Sequence, residues 1–154
     1  MRRLPLFTTA ALLFTSFAFA QIGEKNIQRS ELPSAVQKAA EVESKGATVR
    51  GFAKETEKNH TYYEMELTIN DHHKDVLMDG DGTVVEVEEQ VTLDSLQPQV
   101  RQALHTKAGN GVIKTVESLT KRGKLVAYEA QILTGKKRSE IQVGPTGADL
   151  KNEQ

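Results

Sequence analysis

Two periodicities alternate along this chain, and each occurs twice. Leu32, Val36, Ala39 and Ala40 share one stripe of an amphipathic helix, and Leu96, Val100, Ala103 and Leu104 repeat that stripe further on. Ser30 and Asp94 stand before them as matching N-cap candidates, residues whose side-chain oxygen can accept an orphan backbone N–H. Gly46 and Gly109 follow, where a left-handed residue ends a helix. After each helix the period drops to two. Tyr63, Met65, Leu67 and Ile69 alternate with Tyr62, Glu64, Glu66 and Thr68, and Tyr128, Ala130 and Ile132 alternate with Glu129 and Gln131. Such stretches read as strands with one face in the core and one in water. Weaker alternation at 49–56 and 113–120 supplies a strand before each.

Turn signals fall at matching places: Asn70-Asp71 and Thr134-Gly135, then Asp79-Gly80-Asp81-Gly82 and Gly144-Pro145-Thr146-Gly147. The pattern predicts an α+β protein of two tandem units, each a helix followed by four antiparallel strands. The first unit is expected over 30–90 and the second over 91–154, behind a flexible segment at 21–29. Units of about 60 residues without disulfide or metal bury too little apolar surface to stand alone, so the two are expected to share a core or a sheet. Tyr63 and Tyr128, on the apolar side of the alternation, should point towards the helix of their own unit.

The first twenty residues follow a different logic. Arg2 and Arg3 precede an uncharged, largely apolar run, and Ala18-Phe19-Ala20 ends it in the A-x-A pattern of a signal-peptidase site. Residues 1–20 are therefore expected to be a cleaved signal peptide, and the protein to be exported to the periplasm or beyond the cell. No later stretch is apolar for long enough to span a bilayer, so no membrane anchor is expected after cleavage. The chain has no cysteine, so burial rather than disulfides must hold the fold together.

A Leu-Pro-led helix at Leu32-Pro33, then Y-E-x-E-L over Tyr63 to Leu67, then V-x-x-D-x-D-G-x-V over Val76 to Val84, resembles the PepSY-like group of exported bacterial domains. The second half departs from the motif: Gly144 and Thr146 replace Asp79 and Asp81, the proline moves to Pro98, and the last strand is cut short. The resemblance implies a helix packed on a four-stranded antiparallel sheet in tandem copies, similar to the repeats of β-lactamase-inhibitor-like proteins. It carries no catalytic residues. It also implies an inhibitory or folding-assistant role of the kind proposed for thermolysin-type propeptides.

Candidate chemistry is sparse. Counting Asp79 as position 3 of a calcium loop puts Asp81, Gly82 and Glu88 at their proper places, but Leu77 then occupies position 1 and cannot coordinate. Asp79 and Asp81 are thus weak metal candidates, and a β-turn explains them better. His72 and His73 fall in the preceding turn with Asp71 and Asp75, where solvated histidines are expected, since adjacent strand residues point to opposite faces and a shared metal would need an irregular loop; His60 and His105 stand alone. There is no nucleophile elbow, zinc-protease motif or phosphate-cradling loop. No enzyme and no cofactor are expected.

Charge is more telling. The stretch 61–94 is strongly acidic, with Lys74 its single Lys or Arg, whereas 114–138 is basic, with Glu117 and Glu129 its single acids. The alternation puts Glu64, Glu66, Glu86 and Glu88 on the sheet face away from the helix, beside Tyr62. These five residues form the candidate partner-binding face, for a basic polypeptide or a peptidase, with the four carboxylates expected to be solvated. The alternatives are an electrostatic contact of the acidic half with the basic half, and a cation or small-ligand sensor built on the acidic turns. With a formal net charge of −1 and a pI near 6.4, nucleic acid is not an expected partner.

Overall fold

The computed structural model describes residues 24–57 and 59–150. The expected signal peptide lies outside the described residues. Among those described, no helix is long and apolar enough to cross a membrane.

The strands are β1 (Lys25–Ile27), β2 (Thr48–Glu57), β3 (His60–Ile69), β4 (His72–Asp79), β5 (Val84–Val91), β6 (Val112–Lys121), β7 (Lys124–Thr134) and β8 (Lys137–Val143). They form one sheet in sequence order, every neighbouring pair antiparallel. Helix α1 (Ser34–Glu43) precedes β2, and α2 (Pro98–Ala108) precedes β6. Both helices pack on the same face of the sheet over separate cores. Leu32, Val36 and Ala40 meet Met65, Leu67, Val76 and Met78 in the first. Leu96, Val100 and Leu104 meet Val116, Ala130, Ile132 and Val143 in the second. Tyr63 and Tyr128 border their respective cores, which fixes the expected strand register.

The helix starts differ from expectation. Ser30 and Asp94 lie in short 3₁₀ turns (Arg29–Glu31 and Leu93–Ser95), and the N-caps are Pro33 and Gln97. Proline is the reason. A residue preceding proline is driven to extended backbone, so Leu32 (ψ 143°) and Gln97 (ψ 144°) cannot be helical. The chain must leave the 3₁₀ turn, extend for one or two residues, and only then coil. The carbonyls exposed by this detour are satisfied from within each helix: Gln37 Nε2 donates to Leu32 O at 2.9 Å, and Arg101 Nη1 to Leu96 O at 3.2 Å.

Two further differences concern the ends. Within the stretch expected to be flexible, Lys25–Ile27 forms β1 on β2, and Ile27 enters the first core. In the second half, four strands were expected and three are formed among the described residues. After β8 the chain makes the turn that also follows β4, with Gly144 N donating to Ala148 O as Asp79 N donates to Thr83 O. Residues 148–150, which follow it, form no strand.

These two turns press on the helices. Gly82 (φ +84°) and Gly147 (φ +81°) have left-handed backbone, and a Cβ on them would lie 2.7 Å from Ala35 O and 2.6 Å from Gln99 O respectively. Each turn thus seats against the first turn of its own helix, where only hydrogen fits. Gly82→Ala and Gly147→Ala are each expected to cost about 2–4 kcal/mol, combining left-handed strain with overpacking. Gly46→Ala is the control: its φ is +77° but its Cβ would meet nothing within 4 Å, so it should cost only the strain, about 1–2 kcal/mol. Denaturant midpoints at unchanged slope would check all three, and equal losses at Gly46 and Gly82 would rule out the contact.

Candidate functional site

The sheet face away from the helices carries the carboxylates. Ladder register lines up Ala53, Glu64, Leu77 and Glu86 across β2 to β5, with Lys121 of β6 beside Glu86. The next row holds Gly51, Glu66, Asp75, Glu88 and Leu119. Glu64, Glu66, Glu86 and Glu88 therefore share one face, as the alternation predicts, and Tyr62 lies on the same face between Glu55 and Asp79.

Their environment is not the solvated one expected. Glu86 is only 8% exposed and pairs with Lys121 at 2.9 Å, an ion pair that ties the acidic half to the basic half at the β5–β6 seam. At this residue the carboxylate is buried and paired rather than solvated, an electrostatic contact between the halves. Glu66 and Asp75 are bridged by Arg50, at 3.4 and 3.3 Å, from a bulge in β2. Glu64 has no such partner among the described residues. Burial, and after it the fields of Asp75, Glu24, Glu55 and Glu66, push its carboxyl up to about 8. At neutral pH Glu64 is largely protonated, so its part in the face is that of a hydrogen-bonding carboxyl rather than a fixed charge.

Sequence reasoning missed a second carboxyl centre in the basic half. Glu129 of β7 stands between Glu117 of β6 and Gln142 of β8, one row from Thr115, Gln131 and Glu140. It is 3% exposed, and its Oε1 accepts Gln142 Nε2–H at 2.5 Å. Burial raises its carboxyl well above the glutamate range, with Glu140 and Glu88 adding to the effect. Glu117 is raised too, by burial and then by Asp75 and Glu140. Net charge concealed this centre, because the lysines and arginines of 114–138 outnumber its acids. The usable signal was the repeated Tyr-Glu: Tyr63-Glu64 and Tyr128-Glu129 each send the tyrosine to the helix face and the glutamate to the other.

The acidic turn candidates have ordinary occupations. Asp81 Oδ1 accepts Thr83 N–H at 2.9 Å, and that hydrogen bond, with a further side-chain one, lowers its carboxyl. Asp79 meets His60 Nε2 at 2.5 Å, and the His60 ring stacks at a tilt on Tyr62, centroids 4.4 Å apart. His72 reaches Glu89 at 3.2 Å. Among the described residues, no three His, Asp or Glu side chains gather closely enough to hold a metal.

The arrangement defines a class: an α+β protein with two helices on one side of a continuous antiparallel meander and an acid-rich sheet face on the other. Solved structures share that fold. A protein from Bacteroides eggerthii, described as periplasmic, superposes with a TM-score of 0.62 at 21% identity over 76% of this chain and 84% of its own. A DUF2874 family protein from Bacteroides ovatus gives 0.61 at 22% over 78% and 85%. A protein from Bacteroides fragilis described as BLIP-like gives 0.57 at 19% over 76% and 82%. No family model matches the chain, and no curated protein matches it.

Proposed function

We propose that this chain is an exported, non-catalytic binding module that engages a basic polypeptide through the sheet face opposite its helices. The observation that carries this reading is the concentration of Glu64, Glu66, Asp75, Glu117, Glu129 and Glu140 on that one face, drawn from both halves. Burial, and after it the crowding of neighbouring carboxyls, raises several of them and costs stability, part of which a complementary cationic surface would recover on binding. Export is supported by the N-terminal charge, apolar run and A-x-A ending. The fold shared with a BLIP-like protein fits a role in which a sheet surface blocks or modulates an enzyme, such as an extracellular peptidase.

The two halves are read as tandem copies of a PepSY-like unit. Support comes from paired details: Gly82 and Gly147 against the helix carbonyls, Gln37 and Arg101 on the carbonyls beside the prolines, and the two Tyr-Glu dipeptides.

The test is capture from the native envelope on immobilised protein, beside a Glu64→Gln, Glu66→Gln, Glu88→Gln variant. Glu86 is left intact because it serves the seam. A polypeptide retained at low salt by the wild type should be lost from the variant and released as salt screens the contact beyond about 8 Å. Equal retention by both proteins at low salt would refute the reading. The cation-sensor alternative predicts instead a calcium-dependent rise in melting temperature, and no shift would remove it.

A further inference from the structure

The second carboxyl centre shows a feature that the fold does not require. Glu129 Oε1 is satisfied by Gln142, but its Oε2 is buried with no hydrogen-bond partner, in a residue only 3% exposed. Thr115 Oγ1, in the adjoining row, is likewise buried and unpartnered. None of the ion pairs in the described structure involves Glu117, Glu129 or Glu140. A glutamine at 129 could hold Gln142 without charge, so a hydrogen-bonding role alone does not call for a carboxyl here. Its second oxygen is buried and without a donor whenever Glu129 and Glu140 are both ionised, which is destabilising in the free protein.

The charged surroundings point to what would complete it. Glu117 faces Glu129 from β6, Glu140 from β8 and Glu88 from β5. At one end of these strands Lys114 and Arg138 line a cavity of about 130 Å³ together with Gln131, Ile132 and Leu133, and on the Glu88 side Lys121 is drawn to Glu86 at 2.9 Å. The field at Oε2 is negative, and it weakens towards that basic end.

We propose that Glu129, with Glu117, Glu140 and Glu88 around it, receives a single lysine or arginine side chain of the polypeptide bound on this face. The inference rests on the reading of the face as a polypeptide-binding surface and assigns its anchor. The incoming N–H groups donate to Glu129 Oε2 and to the Glu140 carboxylate. The proton that Glu129 holds in the free protein, shared with Glu140, leaves to solvent as the cation takes its place. No bond to carbon forms or breaks. Approach is from the Glu88 side, since Lys114 and Arg138 repel a cation at the other end. Because binding then releases a proton, affinity must rise with pH until Glu129 ionises in the free protein, by at most about tenfold per pH unit for one proton.

The probe is a blocked pentapeptide with arginine between glycines, and its citrulline counterpart as a neutral control of nearly the same shape. Each is titrated by NMR into the exported chain (residues 21–154) at low ionic strength, between about pH 6 and about pH 8, a range over which arginine stays charged. The arginine peptide, and not the citrulline one, should shift the amides of Glu117, Glu129 and Glu140, and should tighten towards tenfold per pH unit. Glu129→Gln should weaken it about tenfold or more and abolish the pH slope, and Glu140→Gln should reduce both. Glu41→Gln, on α1 and on the other side of the sheet, should leave the affinity within about twofold. If either variant melts early, the other carries the test.

Shifts centred on Glu64 and Glu66, insensitive to Glu129→Gln, would overturn the assignment of the anchor while leaving the face as a binding surface. Binding at Glu129 with no pH slope would overturn the proton exchange and, with it, the buried carboxyl as receiver. Identical behaviour of the arginine and citrulline peptides would overturn cation recognition. The absence of shifts anywhere on this face would remove the binding reading itself.

Discussion

Expressed apart, residues 21–90 and 91–154 are expected to lose the cooperative melt of the intact protein. The halves have separate cores, so the seam between them decides the outcome. Six consecutive pairs join β5 to β6, from Glu86–Lys121 to Val91–Val116. Arg122 N donates to Val85 O at 2.9 Å, and Ser118 Oγ to Glu89 O at 3.3 Å, extending the seam at its end and over its side chains. Division turns two interior strands into edges, strips Glu86 of its Lys121 partner, and takes Val91 away from β5 into the other fragment. The fragments then hold only 70 and 64 residues, a size at which burial barely exceeds chain entropy, and each presents a long unpaired edge that invites association. Total stability is typically only about 5–15 kcal/mol, so loss of this pairing should leave little of it. Calorimetry on both fragments and their mixture checks this. Two independent transitions at the intact midpoint would show self-sufficient units and refute the shared-sheet account.

Stability is also expected to fall as pH rises from mildly acidic to mildly alkaline, the reverse of the common acid-sensitive profile. The folded Glu64 carboxyl is raised to about 8, and Glu129 and Glu117 are raised in the same direction, burial being the leading cause in each. The folded state holds these protons more tightly than the unfolded chain does. Their contribution is therefore complete below the unfolded glutamate pKa, near 4.3, and is withdrawn as pH climbs through the folded values. One fully titrating group withdraws at most about 1.4 kcal/mol per pH unit, and partial exposure reduces this, so a total loss of about 2–4 kcal/mol between about pH 5 and about pH 8 is expected. Glu64→Gln should flatten the curve and stabilise the protein at the alkaline end, because the amide stays neutral where the carboxyl must ionise. Urea midpoints across the range provide the measurement. A flat or rising profile would mean that these three carboxyls are hydrated and the burial argument fails.

Much of the fold could be read from the sequence because it is encoded locally. The switch from the helical period to period two, the Asn, Asp and Gly turns, and the glycines at 82 and 147 each follow from neighbouring residues, so both helices and the strands from β2 to β8 fall near their expected places. Tyr63 and Tyr128 border the cores because alternation leaves a strand residue only two directions. Where local signals competed, the sequence was misleading. Ser30 and Asp94 resemble helix caps, but the prolines that follow forbid helix at the preceding residue, a steric rule that overrides capping preference.

The candidate site depended on what no local pattern records. Alternation placed Glu64, Glu66, Glu86 and Glu88 on one face, but burial and pairing depend on strand neighbours distant in sequence. Only the β5–β6 pairing brings Lys121 to Glu86, and only the bulge at Arg50 lets one guanidinium reach Glu66 and Asp75. The Glu129 centre draws Glu117, Glu140 and Glu88 from three other strands into a half whose composition is basic. The sequence by itself determined which residues face the helices and where the chain turns, because those are matters of period and backbone sterics. Tertiary structure alone decided which carboxyls are ionised, because protonation depends on depth and on the charges that other strands bring alongside.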